Sequence, residues 1–250
     1  MIYLKSDREI EIMRKAGSIT ANILNHLKDS VNAGMSTLDI DKIAEKKCKE
    51  FKVQPAFKGY HGFPGCICIS VNEEVVHGIP NAKKIIKEGD IVSLDFGVIY
   101  DGYYGDSAIS IGVGKITDPA RDLIEITKKS LFAGIENAVE GNHLFDISHA
   151  VQQCVESKGY SVVREFVGHG IGKNLHEEPQ VPNFGPKGKG IVLKKGMVLA
   201  IEPMINIGTH AIKVLKDGWT AVTQDGKLSA HFEHTIAITN DGPNILTLPD

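Results

Sequence analysis

The stretch Asp90–Gly114, DIVSLDFGVIYDGYYGDSAISIGVG, predicts two long β-strands joined by a tight turn. Apolar side chains occupy every second position of 92–96, as on a strand with one buried face. The dipeptide Asp101-Gly102 favours a type I′ turn, which joins antiparallel strands through a two-residue loop. A turn at this dipeptide pairs Tyr100 with Tyr103, and it thereby fixes the register of the whole hairpin.

The predicted register brings two carboxylates onto one face of the hairpin. Gly97 then lies opposite Asp106 and Asp95 lies opposite Ala108, so the two aspartates are diagonal neighbours. Cβ atoms in that relation are roughly 7–8 Å apart. Because burying two like charges is costly unless a cation joins them, we interpret the pair as metal ligands. Taken alone, the pair also fits two solvated side chains on an exposed face.

Three segments downstream carry the residue types that complete a metal site. His169 is flanked by glycines in GHGIG, and glycine permits close approach of backbone and ligand. Glu202 ends the apolar run 197–201, and Glu233 begins a strand whose apolar part is 236–238. A carboxylate at the end of a buried strand is unfavourable unless it is paired or ligated. Taken alone, each glutamate also fits an exposed strand end, and the histidine also fits a hydrogen-bonded structural residue.

Taken together, two aspartates, two glutamates and one histidine form a ligand set for two divalent ions. Bridging carboxylates hold such ions about 3.5–4 Å apart. Oxygen and imidazole ligands suit Mn²⁺, Fe²⁺, Co²⁺ and Zn²⁺ alike. Two other histidines occur in distinctive segments, His77 in VVHGIP and His176 in LHEEP. The neighbouring Glu177 and Glu178 are interpreted as loop charges.

Four helices are predicted around these strands. Ser6 with Glu9, and Ser36 with Asp39, form capping boxes, in which the two residues bond reciprocally at a helix start. Asp118 is predicted to cap the third helix, which reaches about position 139. The fourth helix is predicted from about 145 to 157.

The order helix, helix, strands occurs twice, which predicts a weak internal repeat of two half-domains that share one sheet. Leu38-Asp39-Ile40 resembles Phe145-Asp146-Ile147, and Gly34 resembles Gly141 at the same offset. No linker or low-complexity segment interrupts the chain. We therefore predict a single domain over residues 1–250.

Composition argues against several classes of protein. The net charge is -3, with 42% apolar and 24% charged residues, which is ordinary for a globular chain. The charge balance does not favour nucleic-acid binding, and no apolar stretch is long enough to span a bilayer. The four cysteines do not form a disulfide framework, and no secretion signal is recognised. We therefore expect a cytoplasmic protein.

Six sequence blocks resemble the signature of the type I methionine aminopeptidases, in order and over nearly the whole chain. They are VSLDFG, DGYYGDSA, GHGIG, LHEEP, IEPM and HFEHT. The resemblance implies an α+β fold of the pita-bread (creatinase/aminopeptidase) kind, which is pseudo-twofold and has a central antiparallel sheet with two helix pairs. The short bacterial form fits best, because there is no Cys/His extension and little room for the type II insert.

The same resemblance implies how two divalent ions are held. Asp95 would bind one ion, while Asp106 and Glu233 would bridge both. His169 and Glu202 would complete the shell of the second ion. The ions expected from the family are Co²⁺, Mn²⁺, Fe²⁺ or Zn²⁺.

Further residues are implied to act on the substrate. His77 and His176 would be catalytic histidines that bind no metal, and we expect Glu202 to be the general base. A methionine side chain would fit among aromatic rings and sulfur atoms. The substrate-binding residues implied by the resemblance are His77, His176, Tyr60, Phe63, Cys68, Leu175, Met204 and Trp219.

The resemblance implies a peptide or nascent-chain N-terminus with a small second residue as the partner. It leaves a transient contact with the ribosome open, and it implies no stable nucleic-acid partner and no membrane. We expect a monomer.

Three other interpretations compete with a methionine-specific aminopeptidase. A proline-specific aminopeptidase or prolidase of the same fold usually carries a large N-terminal domain, which this chain lacks. A non-catalytic, ribosome-associated binding protein on the same scaffold would be expected to have lost ligands. A metal-free hydrolase of the creatinase kind is disfavoured by the full carboxylate set. We therefore predict a metal-dependent aminopeptidase that hydrolyses the N-terminal methionine from peptides.

Overall fold

The structure, a computed structural model, describes residues 1–249. Its helices are α1 (Asp7–Ser30), α2 (Thr37–Phe51), α3 (Asp118–Glu136) and α4 (Leu144–Glu156). Its strands are β1 (Gln54–Pro55), β2 (Cys68–Val71), β3 (Glu74–Val76), β4 (Ile91–Tyr100), β5 (Tyr103–Gly112), β6 (Ser161–Val162), β7 (Gly168–Gly170), β8 (Glu177–Val181), β9 (Val198–Ile201), β10 (Met204–Asn206), β11 (Ile212–Val214), β12 (Ala221–Thr223), β13 (Ser229–His231), β14 (Glu233–Thr239) and β15 (Gly242–Ile245). None of the helices within this range is long and apolar enough to cross a bilayer.

Both predicted capping boxes are confirmed. The hydroxyl of Ser6 accepts a hydrogen bond from the Glu9 amide at 3.4 Å, and the Glu9 carboxylate accepts one from the Ser6 amide at 2.8 Å. Ser36 and Asp39 bond in the same reciprocal way at 3.2 and 3.1 Å. These bonds satisfy amides that the first turn of a helix leaves without partners.

The start of α3 differs from the prediction by one residue. Thr117, not Asp118, is the cap, and its hydroxyl accepts a hydrogen bond from the Ala120 amide at 3.4 Å. A threonine one position earlier provides the acceptor that the first turn needs, so Asp118 becomes the first helical residue. Its carboxylate pairs instead with Arg121 on the same helix at 2.8 Å.

The central sheet has nine strands in the order β1-β4-β5-β14-β9-β7-β8, with β2 also on β4 and β15 also on β14. Every neighbouring pair in it is antiparallel. The hairpin of β4 and β5 has the predicted register, with Gly97 opposite Asp106 and Asp95 opposite Ala108. Its turn residues have positive φ, 48° at Asp101 and 77° at Gly102, as a type I′ turn requires.

The helices cover one face of this sheet and leave the other for the cleft. Leu94 and Phe96 of β4 pack in a buried cluster with residues of α1 and α2. Leu199 of β9 and Ile236 of β14 pack in a second cluster with residues of α3 and α4. Because side chains alternate along a strand, Asp95 projects from the opposite face.

Backbone hydrogen bonds confirm the internal repeat. The loop before the second helix of each half bonds to a later segment in the same pattern, displaced by 107 residue numbers. In the first half the bonds run from Gly34 N to Ile86 O, from Thr37 N to Lys84 O and from Ile86 N to Met35 O. Their counterparts in the second half run from Gly141 N to Leu193 O, from Leu144 N to Ile191 O and from Leu193 N to Asn142 O. The same displacement relates Asp95 to Glu202, so the two halves place a carboxylate at equivalent positions.

The repeat generates a prediction about stability. Asp146 accepts hydrogen bonds from the amides of His143 at 2.8 Å and the distant Gly188 at 2.7 Å. Among residues 1–249, the carboxylate of its counterpart Asp39 accepts from Ser36 and Lys42, both close in sequence. Asp146→Ala should therefore cost about 2 kcal/mol, or roughly 4–8 °C in Tm.

Asp39→Ala is the matched control, and its loss of Tm should be clearly smaller. Equal losses in the two variants would contradict the extra role assigned to the Asp146 side chain. Thermal unfolding followed by circular dichroism measures both.

Candidate metal centre

The five predicted ligands converge in one cleft on the face of the sheet away from the helices. Asp95 comes from β4, Asp106 from β5, His169 from β7 and Glu233 from β14, while Glu202 directly follows β9. The cleft encloses about 130 Å³. Its lining residues are Phe57, Tyr60, Phe63, Cys68, His77, Asp95, Asp106, His169, Leu175, His176, Glu202, Trp219 and Glu233.

Three of these side chains form the most compact group. One ligand atom each from Asp106, His169 and Glu233 lies within 4.8 Å of the other two. The residues are 4%, 6% and 2% exposed, respectively. Glu233 pairs with Ala108 across the junction of β14 and β5, and Ala108 pairs with Asp95 on the far side. The sheet register therefore places Asp95 beside this group.

The Glu202 carboxylate lies between two histidines. Its Oε1 is 3.5 Å from His169 Nε2, and its Oε2 is 3.6 Å from His231 Nε2. His231 is almost fully buried, and sequence reasoning assigned it no role. The signal was present in the block HFEHT, where His231 stands two positions before Glu233.

Burial controls the charge state of the acids. It raises the pKa of Asp106 to about 7. It raises the pKa of Asp95, Glu202 and Glu233 well above the ordinary range, and repulsion among the carboxylates adds to the effect. Four acids in one dry space cannot all ionise unless positive charge joins them.

The cleft supplies no such charge from its own side chains. Neither lysine nor arginine belongs to its lining within residues 1–249. Oδ1 of Asp106 and Oε1 of Glu233 are buried without a hydrogen-bond partner, which is costly for a polar atom. Free carboxylate oxygens and an imidazole nitrogen are the donors that divalent transition metals bind. The residues present therefore fit divalent metal ions.

The histidines are arranged as neutral ligands or donors. Nδ1 of His169 lies 2.9 Å from the carbonyl oxygen of Gly170, and a carbonyl only accepts, so Nδ1 carries the proton and Nε2 keeps its lone pair. Burial, with His176 nearby, lowers the pKa of His169 to about 3. Burial, with His77 nearby, lowers the pKa of His231 to about 3.

His77 and His176 lie at the edge of the cleft. His77 has a positive φ of 61°. Its ring contacts those of Phe166 and Trp219 edge-on, with ring centroids 5.1 and 6.2 Å apart, respectively. Burial, with His176 nearby, lowers its pKa to about 4. Nδ1 of His176 is hydrogen-bonded to the Tyr60 hydroxyl at 2.7 Å.

An apolar cluster forms one wall of the cleft. Phe63 and Trp219 contact edge to face with ring centroids 5.1 Å apart, and Leu175 is buried beside them. Cys68 also lines this wall, where burial and the nearby acids raise the pKa of its thiol. Phe57, which sequence reasoning had left out of the site, completes the wall.

Met204 does not line the cleft, in contrast to the sequence-based expectation. It begins β10, which pairs with β13 and β6 in a separate three-stranded sheet. Its side chain is fully buried in the core of that region with Val75 and Val163. Because β10 does not belong to the central sheet, its first side chain packs away from the ligand wall.

The chain is similar to known proteins in both sequence and structure. A sequence model of Metallopeptidase family M24 matches residues 11–240. A methionine aminopeptidase from Clostridium acetobutylicum is 53% identical over 248 residues, covering 99% of each chain. The crystal structure of a methionine aminopeptidase from Thermotoga maritima superposes with a TM-score of 0.97 at 48% identity, covering 99% of each chain.

A prolidase from Pyrococcus furiosus also superposes, with a TM-score of 0.81 at 24% identity. The superposition covers 99% of this chain and 66% of the prolidase chain. At that identity the likeness extends to the fold alone.

The raised acid pKa values predict how pH acts on the metal-free protein. A carboxyl group whose pKa is raised by folding stabilises the fold below its unfolded pKa, and the contribution is lost as pH rises through the folded pKa. For Asp106 this loss is nearly complete at its folded pKa of about 7, whereas Asp95, Glu202 and Glu233, whose pKa values lie well above the ordinary range, continue it at higher pH. Tm of chelator-treated protein should therefore fall between pH 6.5 and 8, chiefly through these three groups. The buried histidines, with lowered pKa values, weaken the fold only below that window.

Mn²⁺ at pH 8 should restore Tm, because it stabilises the ionised carboxylates. The variant Asp106→Asn should show a smaller fall with pH. A metal-free Tm that rises over the same window, or does not respond to Mn²⁺, would count against the site.

Proposed function

The chain belongs to metallopeptidase family M24, and from this we propose that Asp95, Asp106, His169, Glu202 and Glu233 hold two divalent ions for hydrolysis of an N-terminal methionine. It is an aminopeptidase of the bacterial type I methionine aminopeptidase kind, with the pita-bread fold. The single observation that carries the proposed mechanism is one cleft whose lining combines four carboxylates with aromatic rings and a cysteine.

Bound divalent ions would offset the negative charge of the buried acids. Two bound divalent ions would supply Lewis acidity and would lower the pKa of water enough for attack at neutral pH. Mn²⁺, Fe²⁺, Co²⁺ and Zn²⁺ all suit the donor set. The unpaired oxygens of Asp106 and Glu233, and the free lone pair of His169, are the donors that support this assignment.

Glu202 is the proposed general base. Its carboxylate is 14% exposed, more than the side chain of either neighbouring histidine. Burial and the nearby aspartates raise its pKa well above the ordinary range. As a proposed ligand that is partly open to the cleft, this carboxylate is placed to take the proton of the attacking water and pass it to the leaving amine.

His176 is the proposed donor to the scissile carbonyl. Burial and then Tyr104 raise the pKa of the Tyr60 hydroxyl, so this hydroxyl stays protonated and can donate to Nδ1 of His176. Nε2 of His176 then carries the remaining proton and donates to the substrate oxygen. A fixed donor of this kind stabilises the negative charge that develops in the transition state.

His77 is proposed to orient the substrate amide. The left-handed backbone at His77 is followed by Gly78, where a Cβ would overlap the carbonyl of Ile69. The turn therefore requires glycine at position 78, and it directs the His77 imidazole toward Trp219 at the cleft. With its pKa lowered, His77 is neutral at pH 7 and serves as a hydrogen-bonding group.

The apolar wall is proposed to select methionine. A flexible thioether makes favourable contacts with aromatic ring edges, and Phe63 and Trp219 offer such edges. The small second residue, the nascent-chain partner, transient ribosome contact, the cytoplasmic location and the monomeric state remain proposals that rest on the family resemblance.

The first test is metal-dependent release of methionine from Met-Ala-Ser. Asp106→Ala should abolish this release, because it removes a buried ligand, and should reduce the bound metal measured by elemental analysis. Asp122→Asn, an exposed change on α3, is the control. Preferential cleavage of Xaa-Pro peptides by the wild-type chain would favour the prolidase alternative.

The second test concerns His176. His176→Ala should lower kcat by about 10²–10³, the usual effect of removing one donor to the oxyanion. Metal content and Tm should stay close to wild type, because His176 is assigned no role as a ligand. A variant that loses its metal would show that His176 is a ligand instead.

A further inference from the structure

The N-terminal segment makes a buried ion pair with the loop that carries His176. Lys5 Nζ lies 2.6 Å from Glu177 Oε2, and both side chains are 6% exposed. The sequence-based interpretation of Glu177 as a loop charge is therefore wrong, whereas Glu178, the next residue, is exposed. Buried charges at such a distance act as a fixed connection between two segments.

Each partner is also anchored to its own surroundings. The Lys5 amide donates to the carbonyl of Gly196 at 2.7 Å, two residues before β9. On the other side, Glu177 Oε1 accepts a hydrogen bond from the Asn174 amide at 3.2 Å. Leu175 lies between these two loop residues, next to His176. Glu177 thus closes a short loop whose two central side chains both line the cleft.

Gly172 shows how closely the pair is packed. A Cβ at Gly172 would lie 2.6 Å from both Lys5 Cε and Glu177 Oε1. The Gly172 carbonyl meanwhile accepts a hydrogen bond from the Tyr104 amide at 2.9 Å, which ties the loop to β5. The last glycine of the GHGIG block therefore makes room for the ion pair rather than for a metal.

We propose that Lys5 and Glu177 are positioning residues that set the place of His176 over the cleft. The inference rests on the proposed function, because it assumes that His176 donates to the scissile carbonyl. Tyr60 holds the ring from one side, and the ion pair holds the backbone of the loop from the other. Displacement of a catalytic group by about 1 Å can cost roughly 10²-fold in rate.

The variants Lys5→Met, Glu177→Leu and the double variant test the proposal in the metal-loaded enzyme. Each single variant leaves a buried charge unpaired and should lower both Tm and kcat, the latter about 10–100-fold. The double variant removes both charges and should recover most of the Tm, while kcat stays low because the loop is no longer closed. Recovery of kcat together with Tm would overturn the proposal and leave the pair a purely structural role.

Glu178→Gln is the matched control, and it should leave kcat, KM and Tm unchanged. In a His176→Ala background, Lys5→Met should have no further effect on kcat, and a persisting tenfold loss would overturn the proposal. If His176→Ala alone leaves kcat intact, the proposed role of His176 fails. If it lowers kcat while Lys5→Met is silent in the wild-type background, only the positioning proposal fails.

Hydrogen exchange of the metal-free protein gives a second readout, independent of activity. The Asn174 amide should exchange faster in Lys5→Met and Glu177→Leu than in wild type, because its acceptor is displaced or removed. Glu178→Gln should show wild-type exchange at this amide. Unchanged exchange in Lys5→Met would contradict the proposed link between the N-terminal segment and the loop.

Discussion

Four carboxylates share one water-poor cleft that has no lysine or arginine in its lining among residues 1–249. This electrostatic conflict governs the rest of the site. It explains why folding raises the acid pKa values, why two carboxylate oxygens lack partners and why the His169 lone pair faces an acid. Divalent cations would resolve the conflict, and they would also supply the Lewis acidity that the proposed peptide hydrolysis uses.

The internal repeat forms this cleft from two halves of the same architecture. Each half contributes strands to one sheet and a pair of helices to one of its faces, so the other face of both halves stays available for ligands. Asp95 and Glu202 occupy equivalent positions in the two halves. His77 and His176, to which the proposed mechanism gives roles beyond metal binding, lie just outside strands β3 and β8.

Local signals made part of the structure predictable. One turn dipeptide fixed the register of β4 and β5, and two capping boxes located α1 and α2, because these interactions join residues close in sequence. The predicted cap of α3, Asp118, is one residue late, because aspartate and threonine can both cap a helix and the adjacent Thr117 takes that role.

Contacts between distant segments could not be predicted in this way. The place of Met204 depends on which sheet β10 joins, and the burial of Glu177 depends on Lys5, which lies far away in the sequence. The five metal-site candidates could be predicted because four acids next to predicted strands and one histidine between glycines together match a ligand set, although each residue alone also fits an ordinary role. At the junction of β5 and β14 only two residue pairs, Glu233 with Ala108 and His234 with Ser107, join the halves in register. Since the proposed ligands come from both sides of that junction, bound ions would hold the two halves together. Metal supply would then affect the stability of the protein as well as its activity.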